Sequence, residues 1–245
     1  MQQDQFIRQQ GIVPDLIHKL SVVIIGIGAI GSALGMQLAK MGCNDIIAID
    51  HDKVELHNLP NQWFSDEAVG LNKTEAFGHM VYKINKQCKF DGRAERFNER
   101  HPDLIRESRA VFCCVDNMDT RKLIFDSFCN VGYTKPNRLF IEARMAGEIM
   151  RVLSVHDDDS AERWVNAWYP QAEVQSDRCT TQSTIYTSAM AAGLMAHNYA
   201  TWLRKLPIET DIGLDLINMT MDTKIQQVEA DHTAMEAVAT QAEPV

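Results

Sequence analysis

The sequence predicts an α/β fold: a doubly wound, mostly parallel sheet flanked by helices, with an additional mixed or antiparallel C-terminal part. Three observations predict it. Ser21–Ile25 and Asp45–Asp50 are short apolar runs rich in β-branched residues, as expected of strands buried on both faces. A glycine pattern, Gly26-x-Gly28-x-x-Gly31, stands between the first run and a helical stretch. The chain has 245 residues, 45% hydrophobic and 23% charged, which is enough to bury one full core.

Taken in order, residues 1–20 read as a polar N-terminal arm and short helix, with Phe6, Ile7, Ile12, Val13, Leu16 and Ile17 as apolar punctuation. After the first strand and its glycines, Ser32–Met41 carries Leu34, Leu38 and Met41 at helical spacing, and Gly42 suits its end. With Asp45–Asp50 this completes one Rossmann-like strand–helix–strand unit. Residues 51–72 read as irregular polar structure. Lys73–Lys86 places Ala76, Phe77, Met80, Val81 and Ile84 on one helical face. Ala110–Val115, Leu139–Ile141 and Ile149–Val155 read as strands, with a helix over Thr120–Cys129.

Residues 157–182 are expected to form a long exposed crossover loop. Thr184–Leu203 lacks Asp, Glu, Lys and Arg and has the length of a membrane span, but His197, Asn198 and its small residues make Ser183–Leu203 a buried core helix. Leu214–Met221 alternates as a last strand. The expected organisation is one domain over 1–228 and a flexible acidic tail over 229–245.

Lys plus Arg number 24 and Asp plus Glu 33, a net charge of −9, and the pI is near 5.3. That balance argues against a nucleic-acid partner, which needs a basic footprint. The six cysteines, Cys43, Cys88, Cys113, Cys114, Cys129 and Cys179, include no C-x-x-C pair, so no structural zinc is expected. Met1–Arg8 is polar and lacks an apolar core, so no signal peptide is expected. The expectation is a reducing, cytoplasmic compartment, free thiols and no membrane partner.

The glycine motif has the context that makes it chemically meaningful. The first glycine allows a tight turn, the second lets backbone N–H groups approach a phosphate, and the third lets helix and strand pack closely. The helix N-terminus adds partial positive charge. Asp50 closes the next strand, where an acid can bind ribose hydroxyls. A ligand-free tight turn is the alternative. The motif does not choose between a nicotinamide and an adenosine phosphate. The following residues bear on that choice: Asp50, Asp52, Val54, Asn58, Leu59, Gln62, Lys73, then Asp116 and Asn117 with Arg121 nearby. Hydride transfer needs no such cluster. Condensing ATP with a carboxylate needs acids for Mg²⁺, a lysine for phosphate charge and amides to orient oxygens.

On these residues the chain resembles the ThiF/MoeB/HesA family of adenylyltransferases, bacterial relatives of ubiquitin-activating enzymes. The matching pattern is Arg8-Gln9, Gly26/Gly28/Gly31, Asp50/Asp52/Val54, Asn58-Leu59-x-x-Gln62, Lys73 and Asp116-Asn117, over about residues 5–221. The resemblance implies a homodimer that uses ATP and Mg²⁺ to adenylate the Gly-Gly C-terminus of a ubiquitin-like or sulfur-carrier protein. By position, Asp50 would hold the ribose, Asn58 and Lys73 the phosphates, and Asp116 the Mg²⁺. Arg8 would reach a second copy's γ-phosphate. Gly26, Gly28, Gly31, Asp52, Gln62 and Asn117 complete the nucleotide-binding set. Two departures stand out: Asn61 replaces the family's arginine before the glutamine, with Arg144 or His57 as possible substitutes, and the family's zinc cysteines are missing. Arg121 reads as a structural partner of its loop. The alternative readings are an ordinary exposed arginine for Arg8, a helix opener for Lys73 and a turn residue for Asp116.

Cys179, in Asp177-Arg178-Cys179-Thr180-Thr181, precedes the buried helix. The resemblance makes it the candidate acyl acceptor, and a helix N-terminus with Arg178 beside it should lower its pKa. A packing or capping role is the alternative. The other five cysteines are expected to be inert. The Cys179–Tyr186 and Arg144–Glu148 segments look like a bacterial subgroup that hands its modifier to a conjugating enzyme. The competing readings are adenylation without a catalytic cysteine, a NAD-dependent oxidoreductase, and a binding scaffold without activity.

Overall fold

The computed structural model describes residues 5–98, 101–130, 137–173 and 183–223. All eight described strands join one sheet, in the order β3-β2-β1-β4-β5-β6-β7-β8. These are β1 Ser21–Ile25, β2 Asp45–Ile49, β3 Lys89–Arg93, β4 Ala110–Cys113, β5 Leu139–Ala146, β6 Ile149–Val155, β7 Asp211–Asp215 and β8 Thr220–Thr223. Neighbours from β3 to β5 pair in parallel. From β5 to β8 they pair antiparallel, with Glu142 opposite Leu153 and Met150 opposite Leu214. The expected mixture of a parallel core with an antiparallel C-terminal part is present.

Helices cover both faces: α1 Ala29–Met41, α2 Lys73–Ile84, α3 Pro102–Glu107, α4 Met118–Asn130, α5 Asp158–Ala167 and α6 Ile185–Leu203. Two apolar clusters result. One joins Val22 and Ile24 to Leu34, Phe77, Met195 and Tyr199; the other joins Val23 and Ile25 to Ile105, Phe125 and Trp164. Successive β1 residues therefore enter opposite clusters, which is why the strand is an unbroken apolar run. Gly42, at φ +92, ends α1 in the left-handed conformation that favours glycine. None of the described helices is long and apolar enough to cross a membrane.

Several expectations are corrected. The 157–182 stretch is not all loop: α5 begins on a capping box in which Asp157 accepts the Ser160 N–H at 2.9 Å. Its three consecutive acids suit a helix N-terminus. Trp164 of α5 is fully buried and stacks on Phe125, with ring centroids 3.8 Å apart. The single strand expected over Leu214–Met221 is instead the end of β7, a turn and β8. Asp215 makes the turn by accepting the N–H groups of Ile217 and Asn218. In place of an N-terminal helix there are two 3₁₀ turns, Ile7–Gln9 and Asp15–Lys19, separated by Pro14. β3 and α3 are additional elements, and β5 continues past Ile141 to Ala146.

The sheet grows in opposite directions from β1, through β2 on one side and β4 on the other. The carboxyl ends of β1 and β4 therefore flank the crevice where doubly wound sheets bind their ligands.

Candidate active site

The predicted glycines occupy this crevice and have different reasons to be glycine. Gly26 has φ +90, and a Cβ there would lie 2.8 Å from the Cys114 carbonyl oxygen. A Cβ on Gly31 would lie 1.9 Å from the Gly26 carbonyl oxygen. Both are demanded by the protein itself. Gly28, the residue before α1, has no atom within 4 Å of where its Cβ would be. Among the described residues, nothing requires that glycine. Open space at a helix N-terminus, where N–H groups face outward, fits a phosphate.

Asp50 is nearly buried where β2 ends. Its carboxylate accepts the Ile27 N–H at 2.6 Å and the Asp52 N–H at 2.8 Å, so it braces the glycine turn. Lys73 is buried at the first position of α2, and its Nζ donates to Asp52 Oδ2 at 2.9 Å. Burial pushes the Asp52 carboxyl up, but the Lys73 hydrogen bond and charge, aided by His51 and Arg96, leave it below its ordinary 3.8. The ammonium has three donors and spends one on this bond. Ligand atoms of Asp50, His51 and Asp52, two carboxylates and an imidazole, lie within 4.8 Å of one another.

Asn58 is buried and its Oδ1 accepts the Glu55 N–H at 2.9 Å. The oxygen holds the turn, leaving the amide nitrogen as the group able to face an anion. Gln62 follows in the same turn, and Trp63 donates its N–H to Ser32 Oγ in the first turn of α1. The Gln62 Oε1 atom is buried without a partner among the described residues. An orphaned buried acceptor costs about 1–3 kcal/mol, which a bound ligand or water would recover.

Asp116 and Asn117 follow β4 on the other side of the crevice. Cys114 donates its N–H to Ile25 O at 2.8 Å, which holds this strand end against β1. Asp116 is exposed. Asn117 is partly committed: its Oδ1 accepts the Thr120 N–H at 2.9 Å and caps α4. The segment after α5 lies against this helix end. Met118 N–H donates to Gln171 Oε1 at 2.8 Å, and Trp168 Nε1 donates to Met118 O at 3.0 Å.

Behind this loop lies a network that sequence reasoning did not assemble. Glu142 of β5 is fully buried and accepts from Arg121 Nη1 at 2.9 Å, from Arg144 Nε and from Trp164 Nε1. Burial pushes its carboxyl up, yet the two guanidinium groups and the indole hold it below the ordinary 4.5. Arg144 also donates to Ala167 O at 2.7 Å, tying β5 to the end of α5. Arg121 has the structural role that was expected, but its side chain bonds Glu142 and Ala143 of β5 rather than its own loop. The available signal was the lone acid within the apolar run Leu139–Ile141 and onward.

One predicted residue is not brought to the crevice. Arg8 is exposed in the first 3₁₀ turn, and its neighbour Gln9 donates to Lys40 O at the far end of α1. Thirteen helical residues separate that end from Gly28, a distance of about 20 Å. Cys179 lies outside the described residues. The other cysteines carry the signature of unreactive thiols. Burial pushes Cys43 and Cys113 up to about 12, Cys88 and Cys129 up to about 11, and Cys114 higher still.

Comparison with known proteins matches residues 6–237 to the ThiF family. Over 139 residues the chain is 30% identical to ubiquitin-like modifier-activating enzyme 5 of Gallus gallus, covering 51% of this chain and 35% of that protein. The chain thus spans about a third of the length of this curated relative. Among solved structures, E. coli MccB with MccA-N7isoASN superposes with a TM-score of 0.68 at 19% identity, covering 92% of this chain and 72% of that one. E. coli MccB with ATP gives a TM-score of 0.63 at 21% identity, covering 86% and 65%. These likenesses establish a shared fold.

Proposed function

The chain belongs to the ThiF family, and on that footing we propose that it adenylates the C-terminal carboxylate of a ubiquitin-like or sulfur-carrier protein with ATP. The observation that carries this reading is Gly28: two glycines of the motif are explained by protein contacts, and the third opens onto empty space beside an acid and a lysine. The names of the relatives, a modifier-activating enzyme and a structure holding ATP, support the same chemistry.

Asp50 binds the ribose while holding the glycine turn closed. Backbone N–H groups at the start of α1 receive the phosphates, with Lys73, Asn58 and Gln62 around them. The substrate carboxylate forms a bond to the α-phosphorus, the bond to the bridging oxygen breaks, and pyrophosphate leaves with the electron pair. Negative charge moves onto pyrophosphate, so fixed cations accelerate the step. Magnesium, held at Asp116, would supply further neutralisation of that charge. In a homodimer, Arg8 of one copy supplies its planar fork to the other's γ-phosphate. Exposed Ile149, Ile185, Tyr186 and Ile217, grouped around Glu148, offer a surface for the incoming polypeptide.

The test is pyrophosphate exchange with ATP, Mg²⁺ and a protein or peptide ending in Gly-Gly. Exchange that depends on the Gly-Gly end is expected. Its absence, together with NAD(H) binding, would replace this reading with the oxidoreductase. A thioester on Cys179 and transfer to a conjugating enzyme extend the proposal. A Cys179→Ser chain that makes the adenylate and still yields the downstream product removes that extension and leaves adenylation alone.

A further inference from the structure

Asn61 Nδ2 donates to Ser183 Oγ at 2.6 Å, joining points 122 residues apart in the chain. Asn61 belongs to the turn whose Asn58 carbonyl accepts the N–H groups of Asn61 and Gln62. The next residue after that pair, Trp63, is bonded to Ser32 in the first turn of α1. One side of this bond is therefore fixed to the helix end beside Gly28. On the other side, Ser183 forms a β-bridge with Gly147, in the β5–β6 turn, and precedes Thr184, the N-cap of α6. Thr184 Oγ1 accepts the Thr187 N–H at 3.2 Å, so Ser183 is rigidly coupled to the first turn of α6. Asn61 Oδ1 is buried with no partner among the described residues, where the bond to Ser183 is the one this side chain makes.

We infer that Asn61 is a positioning residue that relays nucleotide occupancy of the Gly28 crevice to Ser183 and so sets the first turn of α6 for the second substrate. The inference rests on the reading of that crevice as an ATP site. Phosphates meeting the 58–62 turn must displace or stiffen it. A short, partly buried hydrogen bond passes that change directly to the serine, because both of its ends are fixed by further hydrogen bonds. The first turn of α6 carries exposed Ile185 and Tyr186, with Tyr186 bonded to Glu148 beside Gly147. Binding ATP thereby prepares the surface the polypeptide meets, and Asn61 governs the KM of that polypeptide while leaving ATP affinity alone.

The experiment measures amide hydrogen exchange over residues 183–190, with and without Mg-ATP, alongside ATP affinity by calorimetry. The chains are wild type, Asn61→Ala, Ser183→Ala, the double variant and Ser183→Thr, which keeps the hydroxyl. In wild type and Ser183→Thr, ATP should slow exchange at 183–190 by about tenfold, the scale of one hydrogen bond. In the other three the slowing should vanish, with ATP affinity within about twofold of wild type and the double variant no worse than either single one. Retention of the ATP-dependent slowing in Asn61→Ala overturns the relay. So does an ATP affinity weakened more than about tenfold in that variant, which would make Asn61 a direct ligand. A wild-type chain that binds ATP without change at 183–190 overturns it too. A wild-type chain that binds no ATP overturns the nucleotide reading itself, and the relay falls with it.

Discussion

Lys73 is bound to Asp52 twice: its Nζ donates to Asp52 Oδ2 and its backbone N–H donates to the Asp52 carbonyl, both at 2.9 Å. The backbone bond fixes where α2 begins, and the side-chain bond fixes where the ammonium points. The lysine is 8% exposed while the aspartate is half exposed. A buried cation at a helix N-terminus opposes the helix dipole, a cost that makes sense when an anion is to be bound there.

Replacing Lys73 with Met keeps the stem and removes the charge. Pyrophosphate exchange should fall about 100-fold, the scale of deleting one fixed donor from a reacting centre. Circular dichroism should show the fold retained. Exchange at the wild-type rate in this variant would remove Lys73 from the phosphate site.

The three motif glycines should separate into two classes. Gly26→Ala and Gly31→Ala introduce contacts of 2.8 Å and 1.9 Å with backbone oxygens, so each should lose roughly 1–3 kcal/mol of stability in urea unfolding. Gly28→Ala has open space and should keep wild-type stability while losing ATP binding. A Gly28→Ala chain that binds ATP normally contradicts a phosphate at that position.

Glu142 gives a pH signature. Its carboxyl titrates below the ordinary 4.5 in the folded chain, because Arg121 and Arg144 outweigh the effect of burial. The unfolded chain therefore binds this proton more readily. The stabilisation is complete above about pH 4.5 and is lost as pH falls through the folded value. Glu142→Gln leaves two guanidinium groups uncompensated and should cost about 3 kcal/mol near neutrality. Its stability should also decline less steeply than wild type's as pH drops below 4.5. Parallel acid limbs for the two proteins would show that Glu142 is not the titrating group.

The Arg8 proposal predicts complementation. Arg8→Ala and Lys73→Met chains should each be inactive alone. Mixed and allowed to exchange subunits, they should recover about a quarter of the wild-type rate, since half of a random mixture is a heterodimer with one complete site. Failure to recover activity in verified heterodimers would place Arg8 outside the partner's site.

The strand–glycine–helix–strand unit over 21–50 was legible because each of its signals is local: strands buried on both faces, a fixed glycine spacing, and a glycine stop after α1. The strand that ends just before Asp116 and Asn117 was legible because it is an apolar run. Other elements hid for identifiable reasons. α5 is short and opens on three acids, a composition shared by loops and helix N-termini. β3 is an edge strand with a largely exposed, charged surface, so it lacks apolar alternation. β7 and β8 read as one alternating run because the turn residues Ile217 and Met219 are themselves apolar and exposed.

What the sequence determined by itself is the doubly wound unit and the kinds of side chain arriving at its strand ends, since period and spacing follow from backbone geometry alone. Which partner each side chain takes was decided by the tertiary structure. Glu142 gathers Arg121, Arg144 and Trp164; Asn58 spends its oxygen on its own turn; Arg8 sits at the far end of α1 from Gly28. Hydrogen bonds and buried ion pairs between distant segments obey no repeat along the chain. Their strength depends on burial and approach distance, which come into being only when the sheet and its helices close around them.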